Sequence, residues 1–207
     1  MNDFLTIIGA GLAGSEAAWQ AAERGVSVVL YEMRPISLTA AHKTDGCAEL
    51  VCSNSLGNNL PHSAPYILKE ELRSFNSIVI ASGDRNSVPA GSALAVDRDL
   101  FSQEITEKIS NHPLITLKRQ ELVEIPHSGP VIIATGPLTS PKLSKEISRL
   151  IGQEYLYFYD ALSPIVDANS IDYDKAFFAS RYGKGDADYL NCPMDEKQYY
   201  EFIRELN

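Results

Sequence analysis

Cys52 lies in the stretch AELVCSNSL, Ala48 to Leu56, among small polar residues just past the apolar pair Leu50 and Val51. As a thiolate it could act as a nucleophile or a base; as a thiol it is inert, so its surroundings decide its chemistry. A small buried hydrophobe is the other reading of a free cysteine. Cys47, just upstream, would give a metal two sulfur ligands, but the second half of such a set is missing and no metal is expected. A separate constellation stands near the N-terminus. Gly9, Gly11 and Gly14 spell G-x-G-x-x-G. In such a motif the first glycine allows a tight turn, the second lets the backbone approach a diphosphate, and the third lets a helix lie close to a sheet. Glu32, further on, is an acid of the kind that binds a ribose hydroxyl pair and repels a 2′-phosphate.

These residues need a scaffold, and the surrounding sequence supplies one. FLTII, Phe4 to Ile8, is an apolar run that predicts a buried strand. The alanine-rich LAGSEAAWQAAERG predicts a helix with Gly25 at its C-terminal cap. Val26 to Glu32 predicts a second strand, completing a βαβ unit of the doubly wound type. From Pro35 to Pro65 the periodicity disappears, and long irregular loops in compact domains usually carry function. Helical periodicity resumes in PYILKEELRSFNSIVIAS, where Lys69, Glu70, Glu71 and Arg73 read as a solvated face. A short strand and a helix capped by Asp97 follow, then strand or hairpin material in LITLKRQELVEIP. GPVIIATGP reads as another buried strand, and TSPKLSKEISRLIG as an amphipathic helix with Ser140 as N-cap and Gly152 after it. Beyond that the chain turns tyrosine-rich before a last helix, MDEKQYYEFIRELN. The expected division is residues 1–153 as the first part of the nucleotide-binding domain and residues 154–207 as the start of an inserted α+β subdomain.

Composition narrows the function classes. The chain has 207 residues, 44% hydrophobic and 22% charged, which suits a globular protein with a sizeable core. No apolar run is long enough for a membrane span, and the first residues read as a strand rather than a secretion signal. Three cysteines without framework spacing fit a reducing cytoplasm. The formal net charge of −9 argues against the whole surface being a nucleic-acid platform, while leaving room for a local basic groove.

The strand end IIATGP, Ile132 to Pro137, resembles the turn that lies near the flavin nucleotide in two-dinucleotide flavoproteins, and so favours FAD over NAD as resident cofactor. Together the segments IIGAGLAGSEAAWQAAERGVSVVLYEMRP, AELVCSNSL, LKEELR, VPAGSALAVDRDLF, IIATGPLTS, YLYFYDALSPIV and LNCPM resemble the folate- and FAD-dependent tRNA uracil-5-methyltransferases, over the N-terminal half of that family. A more distant likeness is to the larger tRNA-modifying flavoproteins that act on wobble uridines, which share the glycine motif but not AELVCSNSL in this form. The resemblance implies an α/β, doubly wound, Rossmann-like FAD-binding domain. It implies transfer of a methylene carbon from 5,10-methylenetetrahydrofolate, reduced with FAD and NAD(P)H, to C5 of a uridine in the tRNA T-loop; an FAD-binding half without independent catalysis, or an FAD/NAD(P)H oxidoreductase acting on a small molecule, is the alternative function. It implies a catalytic role for Cys52, the first of two family cysteines; the second belongs to a motif beyond this sequence, and Cys192 is not it. The cofactor-binding set it implies is Gly9, Ala10, Gly11, Leu12, Ala13 and Gly14, with Glu32, Arg34, Thr135 and Gly136. Where the family tends to have phenylalanine and glycine, this chain has Cys47 and Ser92. His42 is a further candidate for contact with flavin or substrate, with a solvated loop histidine as the other reading.

Overall fold

The computed structural model describes residues 4–39, 41–152, 166–180, 183 and 186–206. Strand β1 (Phe4–Ile8) runs into helix α1 (Leu12–Glu23) and then strand β2 (Ser27–Glu32), the βαβ unit the sequence predicts. The long irregular segment contains one short strand, β3 (Ser55–Asn58). Helices α2 (Ala64–Ser74) and α3 (Ile78–Arg85) follow, so the single helical pattern is in fact two helices. The break is local: Asn76 takes a left-handed conformation at φ 56, and the Ser77 side chain accepts from the Ile80 N–H to start α3. Glu16 of α1 fixes the junction, its carboxylate accepting from Ser77 Oγ and Val79 N.

Strands β4 (Ser87–Val88) and β5 (Ala93–Val96) lead to helix α4 (Arg98–Asn111) and strand β6 (Ile115–Arg119). Asp97 caps α4, accepting from the backbone N–H groups of Asp99 and Leu100. Asp97→Ala is expected to lower stability by about 1 kcal/mol through loss of that cap, measured by urea denaturation. LITLKRQELVEIP yields one strand and no hairpin: β6 pairs in parallel with β2 instead. Strand β7 (Val131–Ile133), helix α5 (Pro141–Ile151), the pair β8 (Phe177–Ala179) and β9 (Tyr189–Asn191), and helix α6 (Glu196–Leu206) complete the described elements.

The main sheet has the order β6-β2-β1-β7, all parallel. This is the 3-2-1-4 order of a doubly wound half, with its switch point between β1 and β7. Buried side chains of the sheet, Ile7, Val28, Leu30 and Ile115, meet Ala18 and Ala22 of α1, Ile78 of α3, and Phe101, Ile105 and Ile109 of α4 in one core. A second, antiparallel sheet, β3-β5-β4, packs against α2 and α3. Among the described residues no helix is long and apolar enough to cross a membrane.

Candidate dinucleotide site and cysteine loop

The glycine turn occupies the switch point, where the carboxyl ends of parallel strands leave a crevice for ligands. Each glycine meets a different constraint there. A Cβ on Gly14 would lie 1.7 Å from the Gly9 carbonyl oxygen, so α1 passes too close to the turn for any side chain. Gly9 has φ 96, and a Cβ there would sit 2.8 Å from the Ala134 carbonyl oxygen. Gly11 has nothing within 4 Å of its would-be Cβ, so space lies open above it. Gly11 is also the N-cap of α1, and no acidic side chain stands in that helix's first turn. The free N–H groups and positive dipole end of a helix start suit an anion in that open space.

A cleft partly open to solvent lies at these strand ends. Of the residues the sequence nominates, Gly9, Gly11, Glu32, Arg34 and Thr135 line it, and so does His42. Ala10, Leu12, Ala13, Gly14 and Gly136 flank it in sequence, and Cys52 is not among its lining residues. Thr135 belongs to a small hydroxyl chain: Thr139 Oγ1 donates to the Gly136 carbonyl at 2.8 Å, which leaves Thr135 Oγ1 as donor in its 2.6 Å contact with Thr139.

Glu32 is more deeply engaged than an acid waiting for a ribose. It is 5% exposed. One carboxylate oxygen accepts from the Ala10 N–H at 3.0 Å, and the other from Arg34 N at 3.0 Å and Arg34 Nε at 2.9 Å. Burial pushes its carboxyl upward, but the Arg34 hydrogen bond and charge, together with the two backbone N–H groups, outweigh it and hold the pKa below its ordinary value. Arg34, 1% exposed, extends the network. It donates to Glu49 Oε2 at 2.6 Å, to the Thr44 carbonyl at 3.2 Å and to the Gly46 carbonyl at 3.0 Å. Glu49 in turn accepts from the backbone N–H groups of Lys43 and Thr44 and from Thr44 Oγ1. His42 sits beside this group with Nδ1 2.7 Å from Thr39 Oγ1. Burial, and then the Arg34 charge, pull its pKa down, which favours the neutral ring.

The Ala48 N–H donates to the Ala10 carbonyl at 2.8 Å, so the loop before Cys52 is pinned directly on the glycine turn. Cys52 is exposed. It follows Ala48 closely enough that even extended chain keeps it within about 14 Å of that contact. Cys47 takes the other role a free cysteine can have. Its side chain is fully buried, its N–H donates to Thr106 Oγ1, its carbonyl accepts from Ser102 Oγ, and burial pushes its thiol upward. No group of three or more metal-ligating side chains occurs among the described residues.

Two residues escaped the sequence reading. Lys69 is 4% exposed rather than solvated: its Nζ donates to the carbonyls of Leu56 at 3.1 Å and Asn58 at 2.9 Å, bracing β3, and burial lowers its pKa. Its neighbours fit the expected polar face better, Arg73 pairing with Glu70 and Asp84. Glu49 carried no signal beyond lying near Cys52. Of the tyrosine-rich run, Tyr155, Tyr157, Tyr159 and Tyr182 lie outside the described residues, whereas Tyr189 donates its hydroxyl to the Ala90 carbonyl at 2.8 Å.

A parallel sheet of this order, with a three-glycine turn at its switch point, defines the doubly wound, Rossmann-like class of dinucleotide-binding folds. The model of the family described as "GIDA: Glucose inhibited division protein A" matches residues 5–207. The chain belongs to that family. It is 58% identical over 206 residues to the methylenetetrahydrofolate--tRNA-(uracil-5-)-methyltransferase TrmFO of Listeria innocua, covering 100% of this chain and 47% of that protein. It is 60% identical over 206 residues to the protein of the same name from Enterococcus faecalis, again covering 100% and 47%. These relatives bear out the resemblance drawn from the motifs. The chain spans about half the length of the curated relatives it matches. Among solved structures, GidA from Aquifex aeolicus aligns with a TM-score of 0.52 at 17% identity over 65% of this chain and 25% of that one, a likeness of fold alone.

Proposed function

We propose that this chain supplies the FAD-binding part, and the first cysteine loop, of a folate-dependent tRNA (uracil-5-)-methyltransferase. The observation that supports the reading is the docking of the Cys52 loop on the glycine turn through the Ala48–Ala10 hydrogen bond, with the exposed Cys52 four residues further along that loop. The names of the relatives and the fit of the turn to a diphosphate support it. In this reading FAD, reduced by NAD(P)H, supplies the electrons that turn a folate-borne methylene into a methyl group. The chain's own residues do simpler things. The Gly9–Gly14 turn and the start of α1 hold the diphosphate, Glu32 and Arg34 form the wall of the nucleoside end, and Thr135, followed by Gly136, lines the cleft after β7. C5 of uracil becomes nucleophilic once a thiolate has added at C6, and methylation at C5 then requires loss of the C5 proton. The Cys52 thiolate is the group this chain offers to take that proton. The uridine must turn out of the T-loop to reach it. The cytoplasm is the setting that keeps these thiols reduced, and no metal takes part.

A second reading, in which the chain binds FAD without independent catalysis, is favoured by the exposed apolar residues Tyr199, Tyr200, Phe202 and Ile203 of α6, together with Ile132 at the sheet edge. Reconstitution separates the two. The purified chain is expected to take up one FAD and turn yellow; no flavin absorbance after reconstitution would refute both. In a protein that joins this chain to the thiol that adds at C6, methyl incorporation from tRNA, 5,10-methylenetetrahydrofolate and NADPH is expected and should fall by about 10²–10⁴-fold in Cys52→Ser with FAD uptake retained. FAD uptake without any methyl incorporation would leave the second reading standing.

A further inference from the structure

We propose that Glu49 is a positioning residue for Cys52. Acting through Arg34, it locks the cysteine loop to the nucleotide site, so that occupancy of the cleft governs the Cys52 thiol. The inference rests on the reading of Cys52 given above. It starts from a continuous chain of contacts between two segments that sequence separates. At one end the Ala10 N–H, inside the glycine turn, donates to Glu32. Glu32 holds Arg34, and Arg34 donates at 2.6 Å to Glu49. At the other end Glu49 gathers the backbone N–H groups of Lys43 and Thr44, while Arg34 ties down the Thr44 and Gly46 carbonyls. The Ala48 N–H then returns to the Ala10 carbonyl and closes the circuit on the turn where it began.

Three properties make this more than loop packing. The ion pairs are sheltered, with side-chain exposures of 2% for Arg34, 6% for Glu32 and 13% for Glu49, so their geometry is set by their partners rather than by solvent. Ala48 is a non-glycine residue with φ 53, an uncommon conformation that the loop keeps while it docks on Ala10. Arg34 and Glu32 also line the cleft, whereas Glu49 does not. A ligand in the cleft therefore presses on one end of the chain, and Glu49 delivers the effect to residues just before Cys52. Lys69, holding the Leu56 and Asn58 carbonyls, fixes the far side of the same loop, so displacement of the near side is concentrated on the residues around Cys52.

The test is the alkylation rate of Cys52 by iodoacetamide in the 207-residue chain, read by peptide mass spectrometry with exposed Cys192 as internal reference, with and without FAD. In the parent protein FAD is expected to change the Cys52 rate relative to Cys192 by about tenfold. In Glu49→Gln that ratio should collapse towards one while FAD affinity stays within about threefold, and Glu49→Asp should restore part of it. A tenfold change corresponds to about 1.4 kcal/mol. Should Glu49→Gln fail to fold, Thr44→Val, which removes one hydroxyl donor to Glu49, is expected to give a smaller loss of the same ratio. A Glu49→Gln protein that keeps the parent ratio overturns the proposal and leaves the Cys52 reading intact. A parent protein that binds FAD with no change at Cys52 likewise overturns it, while the Cys52 reading is decided separately by the Cys52→Ser methyl-transfer assay.

Discussion

Gly14→Ala is expected to destabilise the protein by at least about 4 kcal/mol, whereas Gly11→Ala should leave the fold within about 1 kcal/mol of the parent and cost FAD at least about tenfold in affinity. The two changes add the same single carbon three residues apart, and the difference lies in what that carbon meets. At Gly14 it would lie 1.7 Å from the Gly9 carbonyl oxygen and 3.3 Å from the Ala134 Cβ. The carbonyl is backbone and has no room to yield. Gly9 is held by its own N–H to the Tyr31 carbonyl at 2.8 Å, and on its other side it faces the Ala134 carbonyl. Relief requires moving α1 off the sheet, which opens the interior around Ala18 and Ala22. At Gly11 the carbon enters empty space that the reading assigns to the diphosphate. Urea melts and FAD titrations on the two proteins check both halves. A Gly14→Ala protein that melts with the parent would contradict the close approach of α1, and full FAD affinity in Gly11→Ala would remove the diphosphate from above the turn.

Arg34→Met is expected to cost about 3–5 kcal/mol at neutral pH, because it strands the sheltered carboxylates of Glu32 and Glu49 and removes the donor serving the Thr44 and Gly46 carbonyls. Its pH dependence carries a sign. In the parent protein the Glu32 pKa is held below 4.5, so its stabilising contribution is present above that value and is lost as pH falls through the depressed folded value. Without the guanidinium, burial acts on Glu32 against only its two backbone donors, and its folded pKa rises. The folded variant then holds its proton more tightly than the unfolded chain and loses stability as pH increases. The gap between variant and parent should therefore be widest near pH 7 and narrow on acidification, first through the raised folded value of the variant and then, below about pH 4.5, through the depressed one of the parent. Urea denaturation across that range measures it; a gap independent of pH would mean that Glu32 is not the group Arg34 sustains.

The two sites differ in how far the sequence discloses them. The glycine turn is a local object: strand, turn and helix are contiguous, each residue's task depends on its near neighbours, and the pattern can be read directly. The switch point is less accessible, because it needs β7 to arrive beside β1 from far along the chain, and β6 to pair with β2 rather than fold back as a hairpin. The Glu32–Arg34–Glu49 chain is not legible at all, since nothing in AELVCSNSL tells that its glutamate meets an arginine beyond the second strand. Lys69 departs from its expected solvated place for a related reason. LKEELR has the composition of a wet helix face, but a bulged β3 leaves the Leu56 and Asn58 carbonyls in need of a donor, and the long lysine stem can supply one from within.

Tyr189 and its neighbour Asp188 reach back to the small sheet, the tyrosine hydroxyl to the Ala90 carbonyl at 2.8 Å and the Asp188 carboxylate to the Gly91 N–H at 2.7 Å. In polymer terms these bonds staple the ends of a very large ring. The entropy of closing such a ring grows only logarithmically, by roughly 0.6 kcal/mol for each doubling of its contour. In the folded protein β5, α4, β6, β7 and α5 lie between those points, so the core elements already fold the chain back and the clasp itself adds little to the closure cost.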